Sequence, residues 1–233
     1  MMVTPALTSR ALRHAYDSTN HRLFMFDFDG TLTPIVNNPN DAIPSDKSIN
    51  YLQQLSSLAS NRVWIISGRD QEFLDHHFGH IQNLGLSAEH GCFARRPQQT
   101  IWTNHADKLD MAWQSKVKNT FGELVHKVPG SHIEEKKVAI TWHYRNAMDY
   151  TLGEETAHIF KTQLENELAE DEVEVMMGKA NLEVRPRSIT KGYLAQRLLA
   201  ADPIDFVLCC GDDTTDEGNV DEQTRKALEL TKV

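Results

Sequence analysis

Three short apolar runs constrain this chain most: Leu23-Phe24-Met25-Phe26, Val63-Trp64-Ile65-Ile66 and Phe206-Val207-Leu208-Cys209-Cys210. Each is continuous rather than alternating, the pattern of a parallel strand covered on both faces. Each is too short to read as a helix. Each runs directly into polar or glycine-containing sequence: Asp27-Phe28-Asp29-Gly30-Thr31, Ser67-Gly68-Arg69-Asp70 and Gly211-Asp212-Asp213-Thr214. A fourth run, 84–88, ends in Glu89-His90-Gly91. Between the first two runs, Ile49, Leu52, Leu55 and Leu58 recur at helical spacing. Strand, helix and strand in alternation predict a doubly wound α/β core. Ligands of such sheets gather at the carboxyl ends of the strands, so the polar motifs are expected to converge on one crevice.

The middle of the chain follows other periods. Leu109, Trp113, Val117, Phe121 and Leu124 share a helical face, as do Ala157, Phe160, Leu164 and Leu168. Val138, Ile140, Trp142 and Tyr144 alternate, and 173–177 and 182–184 read as strands. Half-exposed strands with helices on one side predict a small α+β layer. The reading is a second domain at 92–186 inserted in an α/β core made of 1–91 and 187–233, the core resuming where Thr190-Lys191-Gly192 opens an amphipathic helix.

Composition narrows the class. Acidic residues outnumber basic ones 33 to 24, for a formal charge of -9. A surface of that sign repels phosphodiester backbones, and no local basic patch offsets it, so nucleic acid is excluded as a partner. No apolar run approaches the ~20 residues of a membrane span, and the first residues carry no apolar secretory core. The three cysteines give no disulfide framework, so a soluble protein of a reducing, cytoplasmic compartment is expected.

Asp27 and Asp29 flank Phe28, so both carboxylates are expected to face the crevice while Phe28 turns to the core. Asp212, Asp213 and Asp216 follow another strand. Carboxylates so gathered repel one another and need protonation, Lys191 or a hard cation; an oxygen-only donor set suits Mg²⁺, the usual partner of a substrate phosphate. Ser67, Lys191 and backbone N–H groups at Gly30-Thr31 and after Ser67 suit the phosphate itself. Phosphate monoesters hydrolyse extremely slowly unaided, and a route through a covalent carboxyl phosphate splits the barrier. One aspartate attacks phosphorus while the other protonates the leaving alcohol and then activates water. An isolated Asp-x-Asp is most often a surface turn or cap. The weight lies in the consistent placement of every motif after an apolar strand or at a helix start.

The motifs Asp27 to Thr33, Ser67, Lys191 and Gly211-Asp212-Asp213-x-x-Asp216 resemble the four signatures of the haloacid dehalogenase-like phosphatase superfamily. The longer phrases at 26–36, 65–69, 88–91, 178–186 and 211–217 resemble the trehalose-6-phosphate phosphatase family, and those at 4–7 and 42–45 its fungal branch. The resemblance covers about 4–217. It implies a Rossmann-like α/β core with an inserted α+β cap and Mg²⁺-dependent hydrolysis of trehalose 6-phosphate. Asp27 would be the nucleophile and a metal ligand. Asp29 would be the general acid and base, and a ligand through its carbonyl oxygen. Asp212 would complete the metal site with Asp213 and Asp216 in support, and Ser67 and Lys191 would hold the phosphoryl oxygens. The cap would bind the sugar through Lys179, Asn181 and Glu183, which spacing places with Arg185 on one strand face. Glu134, Lys136 and Arg145 elsewhere in the cap would join them. His90, His132 and His143 are expected to be structural.

Family members continue after the last motif with an apolar helix start; here Gly218-Asn219-Val220 follows, and 13 residues remain. A truncated chain is therefore expected, with the start at 1–9 a linker from a longer synthase-like protein. The alternatives are a related sugar-phosphate phosphatase, such as one for sucrose phosphate, a sugar phosphomutase, or a non-catalytic module of a trehalose-6-phosphate synthase complex.

Overall fold

The computed structural model describes residues 8–36 and 41–212, in two compact units, 1–105 with 189–233 and 106–188. In the first, the four apolar runs become β1 (Arg22–Phe26), β2 (Asn61–Ile66), β3 (Leu84–Ala88) and, after the second unit, β10 (Phe206–Cys210). Two short strands, β4 (Phe93–Arg95) and β5 (Thr103–Asn104), extend the sheet, in the order β10-β1-β2-β3-β4-β5. The pairs among β10, β1, β2 and β3 are parallel, and β4 and β5 add antiparallel. Residues 92–105 therefore complete this sheet. The boundary falls near 105 rather than at 91, because the strands involved are too short to leave an alternating signature.

From β1 the chain steps to β2 and β3 on one side and returns as β10 on the other. That reversal beside β1 is the switch point, where an open α/β sheet leaves a crevice. Pleat parity sends Leu23 and Met25 to one face of β1, where they pack with Trp64, Ile66, Val207 and Leu194 of helix α6 (Lys191–Ala201). Phe24 points the other way, against Phe206 and Tyr16 of α1 (Ser9–Asp17). Helix α2 (Asp46–Ser57) starts at Ser45, which caps the backbone N–H of Ser48, and buries Leu52. Helix α3 (Gln71–Phe78) is capped by Asp70 and buries Leu74 and Phe78.

The second unit is an antiparallel sheet of β6 (His132–Glu135), β7 (Ile140–His143), β9 (Asn181–Pro186) and β8 (Val173–Gly178), in that order. Helices α4 (Trp113–Lys127) and α5 (Tyr150–Glu167) both pack on one of its faces. Trp113, Val117, Phe121 and Leu124 meet Ile140, Trp142, Leu182 and Val184 there. Each such large side chain, fully buried, contributes about 1.5–3 kcal/mol of transfer free energy. Lys179 does not lie on the strand with Asn181 and Glu183. It occupies the two-residue turn between β8 and β9 with Ala180, whose φ is +62°. No helix among the described residues is long and apolar enough to cross a membrane.

Candidate active site

Strand β1 ends at Phe26, and Phe28 is fully buried against Phe73 and Phe78, with ring centroids at 5.2 and 5.6 Å. That packing turns the backbone on either side of Phe28 outward and separates the two aspartates into different surroundings. Asp27 is only 7% exposed. Its Oδ1 accepts from the backbone N–H of Phe28 at 2.8 Å, and its Oδ2 lies 3.0 Å from Nζ of Lys191, itself 2% exposed. Asp29 keeps 43% of its side chain exposed and is gripped at both carboxylate oxygens by Arg69, with Nε to Oδ2 at 2.8 Å and Nη2 to Oδ1 at 2.6 Å.

Asp212 follows β10, next to the end of β1, where the N–H of Asp27 donates to the carbonyl of Cys210 at 2.9 Å. Gly30, at φ +79°, passes so close that a Cβ there would sit 2.2 Å from the Asp212 carboxylate. Both its left-handed backbone and its missing side chain are therefore needed to admit Asp212. Asp213 and Asp216 lie outside the described residues.

The turn at 89–91 braces this site from below. Ser67 is fully buried; its backbone N–H donates to Ser87, its carbonyl accepts from the N–H of His90 at 2.9 Å, and its Oγ accepts from the N–H of Arg69 at 3.2 Å. Gly91, at φ +111°, lies against Thr190, where a Cβ would meet the carbonyl oxygen at 2.7 Å. Thr190 caps α6 through the N–H of Tyr193, so Lys191 enters the site from the first position of a fixed helix. The short polar turn thus supports both Ser67 and Lys191.

In the second unit, pleat parity leaves one sheet face free of helices. It carries His132 and Glu134 of β6, Thr141 and His143 of β7, and Asn181 and Glu183 of β9 in direct cross-strand register, with Arg185 next along β9 opposite Glu174 of β8. Glu134 is 2.8 Å from Nε2 of His143 and 3.9 Å from Nζ of Lys136, and that ammonium is also 3.7 Å from Glu183. Glu183 accepts from Thr141 Oγ1 at 2.9 Å and faces Arg185 at 3.8 Å. Arg145 donates to the carbonyl of Lys179 at 3.1 Å. His132 stacks on His143 at 5.0 Å; partial burial and then the neighbouring imidazole hold its pKa below the usual histidine value, with Glu134 opposing.

The structure thus brings Asp27 and Lys191 into contact and sets Asp212 against Gly30. It also gathers Glu134, Lys136 and Glu183 on one face, with Asn181 in register beside them. Sequence reasoning gave no role to Arg69, although the arginine directly after Ser67-Gly68 at a strand end was a visible signal. It also missed the bond from His143 to Glu134, which becomes legible only once β6 and β7 are paired. Among the described residues no three His, Cys, Asp or Glu side chains are grouped so as to hold a metal ion. The donor set that the sequence suggests has two carboxylates, Asp27 and Asp212, and one carbonyl, which fits a cation that keeps several of its waters.

A mostly parallel sheet with carboxylates at its switch point, and a separate antiparallel sheet, define a haloacid dehalogenase-like fold. A hydrolase of that type from Bacteroides thetaiotaomicron matches it with a TM-score of 0.62, over 89% of this chain and 92% of that one, at 15% identity, a likeness of fold alone. The family model for trehalose-phosphatase matches residues 25–232, and the chain belongs to that family. The trehalose-phosphatase of Zygosaccharomyces rouxii is 46% identical over 235 residues, covering 92% of this chain and 26% of that protein. The C-terminal domain of Candida albicans trehalose-6-phosphate phosphatase is 48% identical with a TM-score of 0.87, covering 93% of this chain and 78% of that one. This chain spans about a quarter of the length of the Zygosaccharomyces relative.

Proposed function

We propose that this chain hydrolyses trehalose 6-phosphate to trehalose and inorganic phosphate. The observation that carries the reading is Asp27, buried yet ionically paired with Lys191 at 3.0 Å beside a carboxylate crevice. A buried carboxylate keeps its charge only when paired and hydrogen-bonded, and a charged one is a nucleophile. Asp27 attacks phosphorus, forming a P–O bond as the bond to the sugar oxygen breaks. Asp29 gives its proton to that oxygen, then takes one from the water whose oxygen attacks phosphorus. The bond to Asp27 breaks and phosphate leaves. Ser67 and Lys191 hold the equatorial oxygens, where positioning and charge complementarity supply most of the rate. Asp27, Asp212 and the carbonyl of Asp29 are the donors that would hold Mg²⁺, which when bound offsets charge on the transferring group. Asp213 and Asp216 are assigned to the support of Asp212.

The polar face of the second sheet recognises the sugar. Its mixed donors and acceptors, Glu134, Lys136, Asn181 and Glu183, with Lys179 and Arg145 nearby, match the donor and acceptor pattern of hydroxyl groups. Phosphate release from trehalose 6-phosphate, glucose 6-phosphate and sucrose phosphate, with Mg²⁺, tests the assignment. Release from the first should exceed the others by at least about tenfold, roughly 1.4 kcal/mol of transition-state preference. Equal release would refute it. Asp27→Asn should abolish turnover, and Glu183→Ala should cost more on trehalose 6-phosphate than on a small aryl phosphate.

A further inference from the structure

We propose that Arg69 is a positioning residue that fixes the Asp29 carboxyl for proton transfer to and from the reacting oxygens, a step that rests on the reading of Asp29 above. The two groups differ in constraint. Asp29 is 43% exposed at its side chain, and a short acidic side chain so placed would otherwise choose among staggered rotamers. Arg69 is 15% exposed and held at both ends. Its backbone N–H donates to Ser67 Oγ at 3.2 Å, and its carbonyl accepts from the N–H of Glu89 at 2.9 Å. Its guanidinium lies 4.6 Å from the Phe73 ring centroid and 5.9 Å from that of Phe28. The fork then closes on both oxygens of Asp29.

A two-point grip fixes both the position and the plane of a carboxylate, which a single point charge does not. It also leaves chemistry free. A carboxylate offers about four lone-pair sites, and a bidentate arginine occupies two, one on each oxygen. One of the remaining pairs carries the proton that Asp29 gives to the sugar oxygen and, once that proton has left, accepts one from water. Arg69 therefore transmits the order of the Phe28–Phe73 cluster and of the Ser67 turn to the one exposed group that must meet a moving proton.

Proton delivery matters for an alkoxide and little for a stabilised phenolate, so the test compares leaving groups. Single-turnover release of trehalose from trehalose 6-phosphate and of nitrophenolate from para-nitrophenyl phosphate is measured for wild type, Arg69→Ala, Arg69→Lys and Phe73→Leu. In Arg69→Ala the sugar ester should slow by about 10²-fold, the lower range for a general acid, with the aryl ester slowed by less than about threefold. Arg69→Lys, which keeps the charge but not the fork, should stay within about tenfold of Arg69→Ala on the sugar ester. Phe73→Leu should fall between wild type and Arg69→Ala. Equal slowing of both esters, or full recovery with lysine, overturns the proposal. The comparison needs only an alkyl phosphate that the wild-type chain cleaves. A chain inactive on trehalose 6-phosphate but active on another alkyl ester would therefore refute the substrate assignment while the Arg69 split is still read on that ester.

Discussion

Lys191→Met isolates the physics of the crevice, because methionine keeps most of the unbranched side chain and removes its charge. The Asp27 carboxylate, 7% exposed, would then lack its ammonium partner and retain the N–H of Phe28 on Oδ1. Removing one member of a buried ion pair costs about 3–5 kcal/mol, since the remaining charge is left uncompensated. The surviving hydrogen bond places this case at the low end, about 3 kcal/mol. Replacing both partners, Asp27→Asn with Lys191→Met, leaves two neutral groups and should recover most of that loss. Because the chain has two units, global unfolding curves would mix their responses. Amide exchange in the β1 peptide, 22–26, measured in EDTA so that no cation substitutes for the lysine, reads the first unit alone. A loss of 3 kcal/mol corresponds to about a hundredfold faster exchange, at 1.4 kcal/mol per decade. Exchange changed by less than about fivefold in the single variant, or losses in the double variant that simply add, would refute the reasoning.

The second unit offers an independent stability test: Ser131 Oγ accepts from Nε1 of the fully buried Trp142 at 3.0 Å and donates to the carbonyl of Val128 at 2.7 Å. Ser131→Ala should therefore destabilise that unit by about 1–3 kcal/mol, read as faster exchange in β7 with β1 unchanged. Gly30→Ala should weaken Mg²⁺-dependent phosphate release more than it weakens the fold, because its Cβ would displace the Asp212 carboxylate, 2.2 Å away; calorimetric Mg²⁺ binding equal to wild type would count against this. His77 and His132 both titrate below the usual value of 6.5, the first through burial and then His76 and Arg69, the second through burial and then His143. The folded chain thus binds fewer protons than the unfolded one, so the melting transition of each unit in EDTA should move down as pH drops through 6.5, with His77→Gln flattening the slope in the first unit and His132→Gln in the second.

Much of this was legible in the residues. The runs at β1, β2 and β3 are buried almost throughout, and β10 is buried at Phe206 and Val207, so hydrophobicity marks them, and the motifs sit where such strands must end. Phe28 turned inward as its place between two acids required. The short strands were not legible. β4 and β5 hold three and two residues, and β6 reads His-Ile-Glu-Glu, whose polar members look like loop until pairing gives them a face. Lys179 was misplaced because strand parity extends naturally through Ala180, whereas the positive φ of that residue makes it a turn. Arg69 was hidden for a different reason: its partner, Asp29, is 40 positions away, and no local period encodes a contact across two strand ends.

The four-stranded sheet is insulated by helices on one side only, and this divides its letters by parity. Along β9, Leu182 and Val184 answer to packing, while Asn181 and Glu183 between them do not. Two different physical demands therefore act on alternate residues of a single strand: packing on Leu182 and Val184, and polar pairing on Glu183. If that face holds a sugar as proposed above, substitutions at alternate positions would alter which sugar it takes while the packed positions between them stay as they are.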